Sequence, residues 1–108
     1  MSYNVRVIPP FEKQFKRLAK KFPSLKAELG DLIRQLEVAP NTGVSIGHNC
    51  YKIRLAIASK GKGKSGGARI ITCLVVSNLE VHLLYIYDKS DQADISDNDL
   101  LELLEWVE

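Results

Sequence analysis

Lys52 and Arg54 stand two apart in an alternating run, Arg69 opens a second, β-branched run, and Tyr87 and Lys89 close a third. On a pleated strand, residues two apart emerge on one face about 7 Å from each other. Lys52 and Arg54 therefore share a face. If neighbouring strands bring Arg69 and the Tyr87–Lys89 end alongside, several fixed cations meet a phenol. That set suits phosphodiester chemistry. Cleaving RNA through its own 2′-hydroxyl needs a base for that hydroxyl, charge stabilisation at phosphorus and an acid for the departing 5′-oxygen. Lysine takes acid or base roles when like charges crowd it and lower its pKa. Arginine donates protons poorly but clamps phosphate in bidentate fashion. A solvated sheet face that keeps the chain soluble is the competing reading of the same residues.

Charge along the chain favours the polyanion. From Val38 to Leu79 there is no acidic residue and there are six basic ones: Lys52, Arg54, Lys60, Lys62, Lys64 and Arg69. Residues 1–37 sum to +4 and residues 80–108 to −8. Lys60, Lys62 and Lys64 belong to a glycine-rich loop that ends at Gly66-Gly67, just before Arg69. A cationic loop joined to basic strands is the footprint of RNA binding.

Other chemistries find less support. Gly63-Lys64-Ser65 ends like a phosphate-binding loop, but Ala58 stands where that motif needs glycine, and the loop leads into a strand. Gly63-Lys64-Ser65-Gly66 matches a GxxG loop, yet such loops join helices. His48 and His82 have no carboxylate or cysteine at ligand spacing, so no metal and no cofactor is expected. No Ser-His-Asp or Cys-His arrangement is legible. Cys50 and Cys73 read as reduced core residues. The acids Asp88, Asp91, Asp94, Asp97 and Asp99 lack the glycine and spacing of a calcium loop. They read as helix capping and a solvated face that also neutralises part of the basic one.

The elements that must position these residues follow from periodicity. At 108 residues the chain is one domain, 1–108, with ordinary apolar content of 45 %. No apolar run reaches the ~20 residues of a membrane span, and no signal core opens the chain, so the cytoplasm is the expected compartment. Residues 3–8 read as a strand stopped by Pro9-Pro10. Phe11, Phe15, Leu18, Ala19 and Phe22 recur at helical spacing, with lysines opposite. Pro23 breaks that helix, and Ser24 is placed to cap a second, with Leu25, Leu29, Leu32, Ile33 and Leu36 as its stripe. From Cys50 the period becomes two, and residues 50–87 read as an antiparallel meander. Ser96 and Asp99 mark the start of a last helix. The predicted order is β-α-α-β-β-β-α, an α+β fold with a helical hairpin on one face of an antiparallel sheet.

Three segments carry a family resemblance: Cys50-Tyr51-Lys52-Ile53-Arg54-Leu55, Gly66-Gly67-Ala68-Arg69-Ile70-Ile71 and Leu84-Tyr85-Ile86-Tyr87-Asp88-Lys89. With the order of elements, they resemble the RelE/HigB toxins of bacterial toxin–antitoxin modules. The resemblance implies a metal-independent mRNA interferase that cuts messages in the ribosomal A site. By position, Lys52 matches a lysine proposed as general base, Arg54 the second strand cation and Arg69 the transition-state arginine. The family's later arginine is replaced by Ser90 or, with a one-residue shift, Lys89, and its catalytic tyrosine by Ile95. Lys89, with or without Tyr87, is expected to supply that function. The loop lysines Lys60, Lys62 and Lys64 and the helix lysines Lys13, Lys16, Lys20 and Lys21 are expected to grip ribosomal RNA. A cognate antitoxin is the implied protein partner, covering the basic face or displacing the last helix. The alternatives are a gyrase poison of the ParE type and a non-catalytic RNA- or protein-binding module.

Overall fold

The computed structural model of the chain describes residues 2–61, 63 and 66–107. Its elements are β1 (Asn4–Val7), α1 (Pro9–Lys21), α2 (Leu25–Val38), β2 (Val44–Gly47), β3 (Cys50–Leu55), β4 (Ala68–Val75), β5 (Glu80–Asp88) and α3 (Asp97–Leu104). The α+β class is as expected. Two details of the sheet are not. It has five strands in the order β1-β5-β4-β3-β2, and β1 runs parallel to β5 while the other pairs are antiparallel. The sheet is therefore mixed, and α1 and α2 carry the chain from one edge to the other. The unforeseen strand is β2, four residues that follow Gly43 and end at Gly47, with no apolar flank to extend the Val44–Ile46 alternation. It joins β3 through His48 and Asn49, both with positive φ (56° and 59°), the backbone of a tight primed hairpin turn.

Each helix begins and ends for a local reason. Pro9 and Pro10 occupy the first turn of α1, where their missing donors cost nothing. Phe22 leaves the helix in extended conformation ahead of Pro23. Ser24 precedes α2 but does not cap it with its side chain. Its hydroxyl instead meets Ser59 Oγ at 2.8 Å and accepts from Ser59 N at 3.0 Å. Glu28 Oε2 accepts from Ala58 N at 2.7 Å. These bonds fasten the start of the glycine-rich loop to α2. Ser96 does cap α3, accepting from Asp99 N at 3.1 Å.

The core joins the helical stripes (Phe11, Leu18, Leu25, Leu29, Leu32, Leu36) to one face of the sheet, where Ile53, Ile70 and Ile86 are register partners. The side chains between them in sequence point to the opposite face. Gly67 has an obligatory role at the end of the loop. A Cβ there would sit 2.1 Å from Leu55 O. Only glycine lets the returning chain approach β3 so closely, and Lys89 N donates to Gly67 O at 3.0 Å.

Candidate nucleic-acid cleavage site

Strand register assembles the site. Arg54 pairs with Arg69, and Arg69 with Tyr87, forming one row across β3, β4 and β5. Two residues along, Lys52, Ile71 and Tyr85 form the next row on the same face. Two arginines directly opposite on adjacent strands repel each other.

Burial differs sharply within the row. Arg54 is exposed, Arg69 is 5 % exposed and Tyr87 is 2 % exposed. Arg69 Nη1 donates to Ala68 O at 3.2 Å, which fixes the guanidinium against its own strand. The Tyr87 hydroxyl has no hydrogen-bond partner among the described residues. Burial pushes the phenol above its ordinary pKa, the nearby Asp94 carboxylate adds to the rise, and the Arg69 charge opposes it. The phenol is therefore held protonated, the form in which it can donate.

Asp94, read in the sequence only as one of an acid cluster that neutralises part of the basic face, stands apart from that cluster in the structure. It lies in the turn after β5, and its Oδ1 accepts from Lys52 Nζ at 3.2 Å and from Ile95 N at 2.8 Å. The Ile95 amide, the Lys52 bond and the charges of Lys52 and Lys89 hold it below the usual carboxylate range. Lys89 Nζ also donates to Ala93 O at 2.9 Å, so it supports this turn from below. Asp94 thus gathers Lys52, Lys89 and Tyr87 around one carboxylate. The only sequence signal was an acid-rich stretch directly after the strand that bears Tyr87.

The loop lysines divide. Lys60, expected to grip RNA, instead turns inward. Its ammonium bonds Asp88 Oδ1 and Ser90 Oγ and lies 5.7 Å from the centre of the Phe22 ring. Its side chain is 10 % exposed and that of Asp88 1 %. It anchors the loop, because a buried carboxylate at the end of β5 requires a cation. Lys62 and Lys64 lie outside the described residues. Lys13, Lys16, Lys20 and Lys21 are exposed along α1, and Lys13 borders a groove shared with Tyr85 and Trp106. Among the described residues, no group of three or more His, Cys, Asp or Glu could hold a metal ion.

Comparison with known proteins agrees with this architecture. The family model described as "RelE toxin of RelE / RelB toxin-antitoxin system" matches residues 10–107. The chain belongs to the RelE toxin family. Among solved structures, this RelE-family chain is similar to an arginine-substituted mutant of E. coli RelE in the free state, with TM-score 0.58, 16 % identity and full coverage of both chains (100 % each). It is also similar to the isolated E. coli RelE toxin, with TM-score 0.54, 18 % identity and coverage of 96 % of this chain and 97 % of that one. A chain of the intact E. coli RelBE toxin–antitoxin complex matches with TM-score 0.52 and 17 % identity, covering 81 % of this chain and 96 % of that one. At such identities the likeness is one of fold.

Proposed function

We propose that this RelE-family chain is an endoribonuclease that cuts messenger RNA on the ribosome by 2′-hydroxyl attack, without a metal. The observation that carries this reading is the register that sets Lys52, Arg54, Arg69 and Tyr87 on one sheet face. In the proposed reaction Lys52 takes the 2′-hydroxyl proton. Arg54 clamps the phosphate, and Arg69, held rigid by burial, meets the charge that develops on phosphorus. A preorganised cation in a dry setting is the strongest kind of transition-state stabiliser. Lys89 or the protonated Tyr87 returns a proton to the 5′-oxygen.

The Asp94 carboxylate supports the assignment from the other side. It rests on Lys52 where a substrate phosphate would bear. An incoming phosphodiester would displace it and free the Lys52 ammonium. Lys62 and Lys64 of the loop, with Lys13, Lys16, Lys20 and Lys21 of α1, would hold ribosomal RNA. A cognate antitoxin is the protein partner in this reading, supported by the similarity to a chain of the E. coli RelBE toxin–antitoxin complex.

The test is a ribosome-dependent cleavage assay with wild type, Lys52→Ala and Arg69→Ala. Each substitution should lower the cleavage rate by about 100-fold. Lys52→Ala should leave the melting temperature unchanged, since that side chain is partly exposed. Messages left intact by a wild-type protein that still arrests growth would reject the nuclease and point to another target.

A further inference from the structure

On the same face as the basic residues, further along the strands, lies a second chemical group with no part in that reaction. Cys50, Lys52 and Arg54 alternate on β3, and Arg69, Ile71 and Cys73 alternate on β4. Cys50 and Cys73 are direct register partners. Leu74 N donates to Asn49 O at 2.8 Å, which makes Asn49 and Leu74 the hydrogen-bonded rung and Cys50 and Cys73 the open rung beside it. On such a rung the Cα atoms stand about 4.5 Å apart, within the range of about 4.4–6.8 Å that a disulfide spans. Both cysteines are free thiols, 0 % and 5 % exposed.

We propose that Cys50 and Cys73 are a redox modification site, closing to an intramolecular disulfide when a peroxide reaches them. The Cys73 sulfur, as thiolate, attacks one peroxide oxygen, becomes a sulfenic acid and releases water once the leaving oxygen is protonated. The Cys50 sulfur then attacks the Cys73 sulfur and expels the hydroxyl as a second water. Two thiols and one hydrogen peroxide thus become one disulfide and two waters. The Cys50 S–H donates to His48 O at 3.4 Å, which holds that sulfur in its thiol form, and the two neighbouring thiols shift each other, Cys73 down and Cys50 up. This ordering makes Cys73 the attacking thiolate. Access comes from the edge: only the four-residue β2 flanks β3 on that side, and short edge strands open locally. The bridge would tie β3 to β4 two rungs from Lys52, pinning the ladder that carries the cationic rows.

The experiment treats the folded full-length chain with hydrogen peroxide, quenches, denatures and alkylates it, and reads intact mass. The expected result is a monomer lighter by two hydrogens, with no alkylated cysteine, restored to two alkylated cysteines by dithiothreitol. The oxidised chain should also melt higher than the reduced one, because the bridge closes a loop in the unfolded chain. Cys73→Ser should lose the two-hydrogen change. Retention of both thiols, accumulation of oxygen adducts on a single cysteine, or cross-linked dimers in place of the bridged monomer would overturn the proposal. So would a bridged chain that melts lower, since it would show that the rung does not fit the bond.

Discussion

Two lysine–aspartate pairs flank the end of β5, and they differ most in burial. Lys60 and Asp88 are buried, with side chains 10 % and 1 % exposed. Lys52 and Asp94 are open, at 28 % and 62 %. The same chemistry therefore does different work. Removing one partner of a buried pair strands the other charge away from water and costs about 3–5 kcal/mol. An exposed pair contributes about 0–1 kcal/mol and exchanges readily with other ions. Lys60 belongs to the architecture, whereas Lys52 is held only loosely, by one partly exposed pair. Burial, not residue type or loop membership, separates a strut from a reactive group.

The largest expected effect is that of Lys60→Ala. It should destabilise the fold by about 3 kcal/mol in denaturant melts. A cost comparable to that of a surface lysine would erase the contrast. Acid titration comes next. Burial pushes Asp88 up, but the bond and charge of Lys60, with the Ser90 amide, outweigh it and leave Asp88 below the usual range. A depressed folded pKa means that its stabilising part is complete above the unfolded value of about 3.9. That part is lost as pH falls from there through the lower folded value. Stability should decline over that acid range, and Asp88→Asn should flatten the decline. If Asp94→Asn flattened it instead, the two pairs would have exchanged roles. Ser96→Ala removes the cap that starts α3 just beyond Asp94 and should cost about 1 kcal/mol. The smallest effect on stability is expected from Asp94→Asn itself, about 0.5 kcal/mol or less. In salt-dependent binding assays the same substitution should tighten single-stranded RNA binding, because Lys52 no longer has a resident carboxylate. Unchanged binding would separate Asp94 from the site.

Much of this arrangement was legible before any coordinates. The switch of period at Cys50 and the two-residue spacing of Lys52 and Arg54 placed both cations on one face. The Ser96–Asp99 cap marked α3. What escaped had physical causes. β2 is set between Gly43 and Gly47, and its two apolar residues, Val44 and Ile46, have no apolar flank to extend their alternation. The parallel pairing of β1 with β5 joins residues some 76 positions apart (Asn4 with Glu80), and no local pattern records that. Lys60 looked like a ligand grip because composition counts charges without their partners. Asp88 is far away in sequence and becomes its partner only once β5 lies beside the loop. Asp94 stands in a run of acids of which Asp97 and Asp99 open α3 and Asp88 is buried against Lys60, and only the turn after β5 sets it apart.

The position of β1 has an outcome for synthesis. β1 lies against β5, and the partner of Val7 is Leu83. A chain still emerging from the ribosome can form its helical hairpin early. It cannot close its sheet until nearly all of its residues are free, a non-local step that is intrinsically slow. The row of Arg54, Arg69 and Tyr87 is complete only once β5 has joined the sheet, so the register that defines it is among the last features to form.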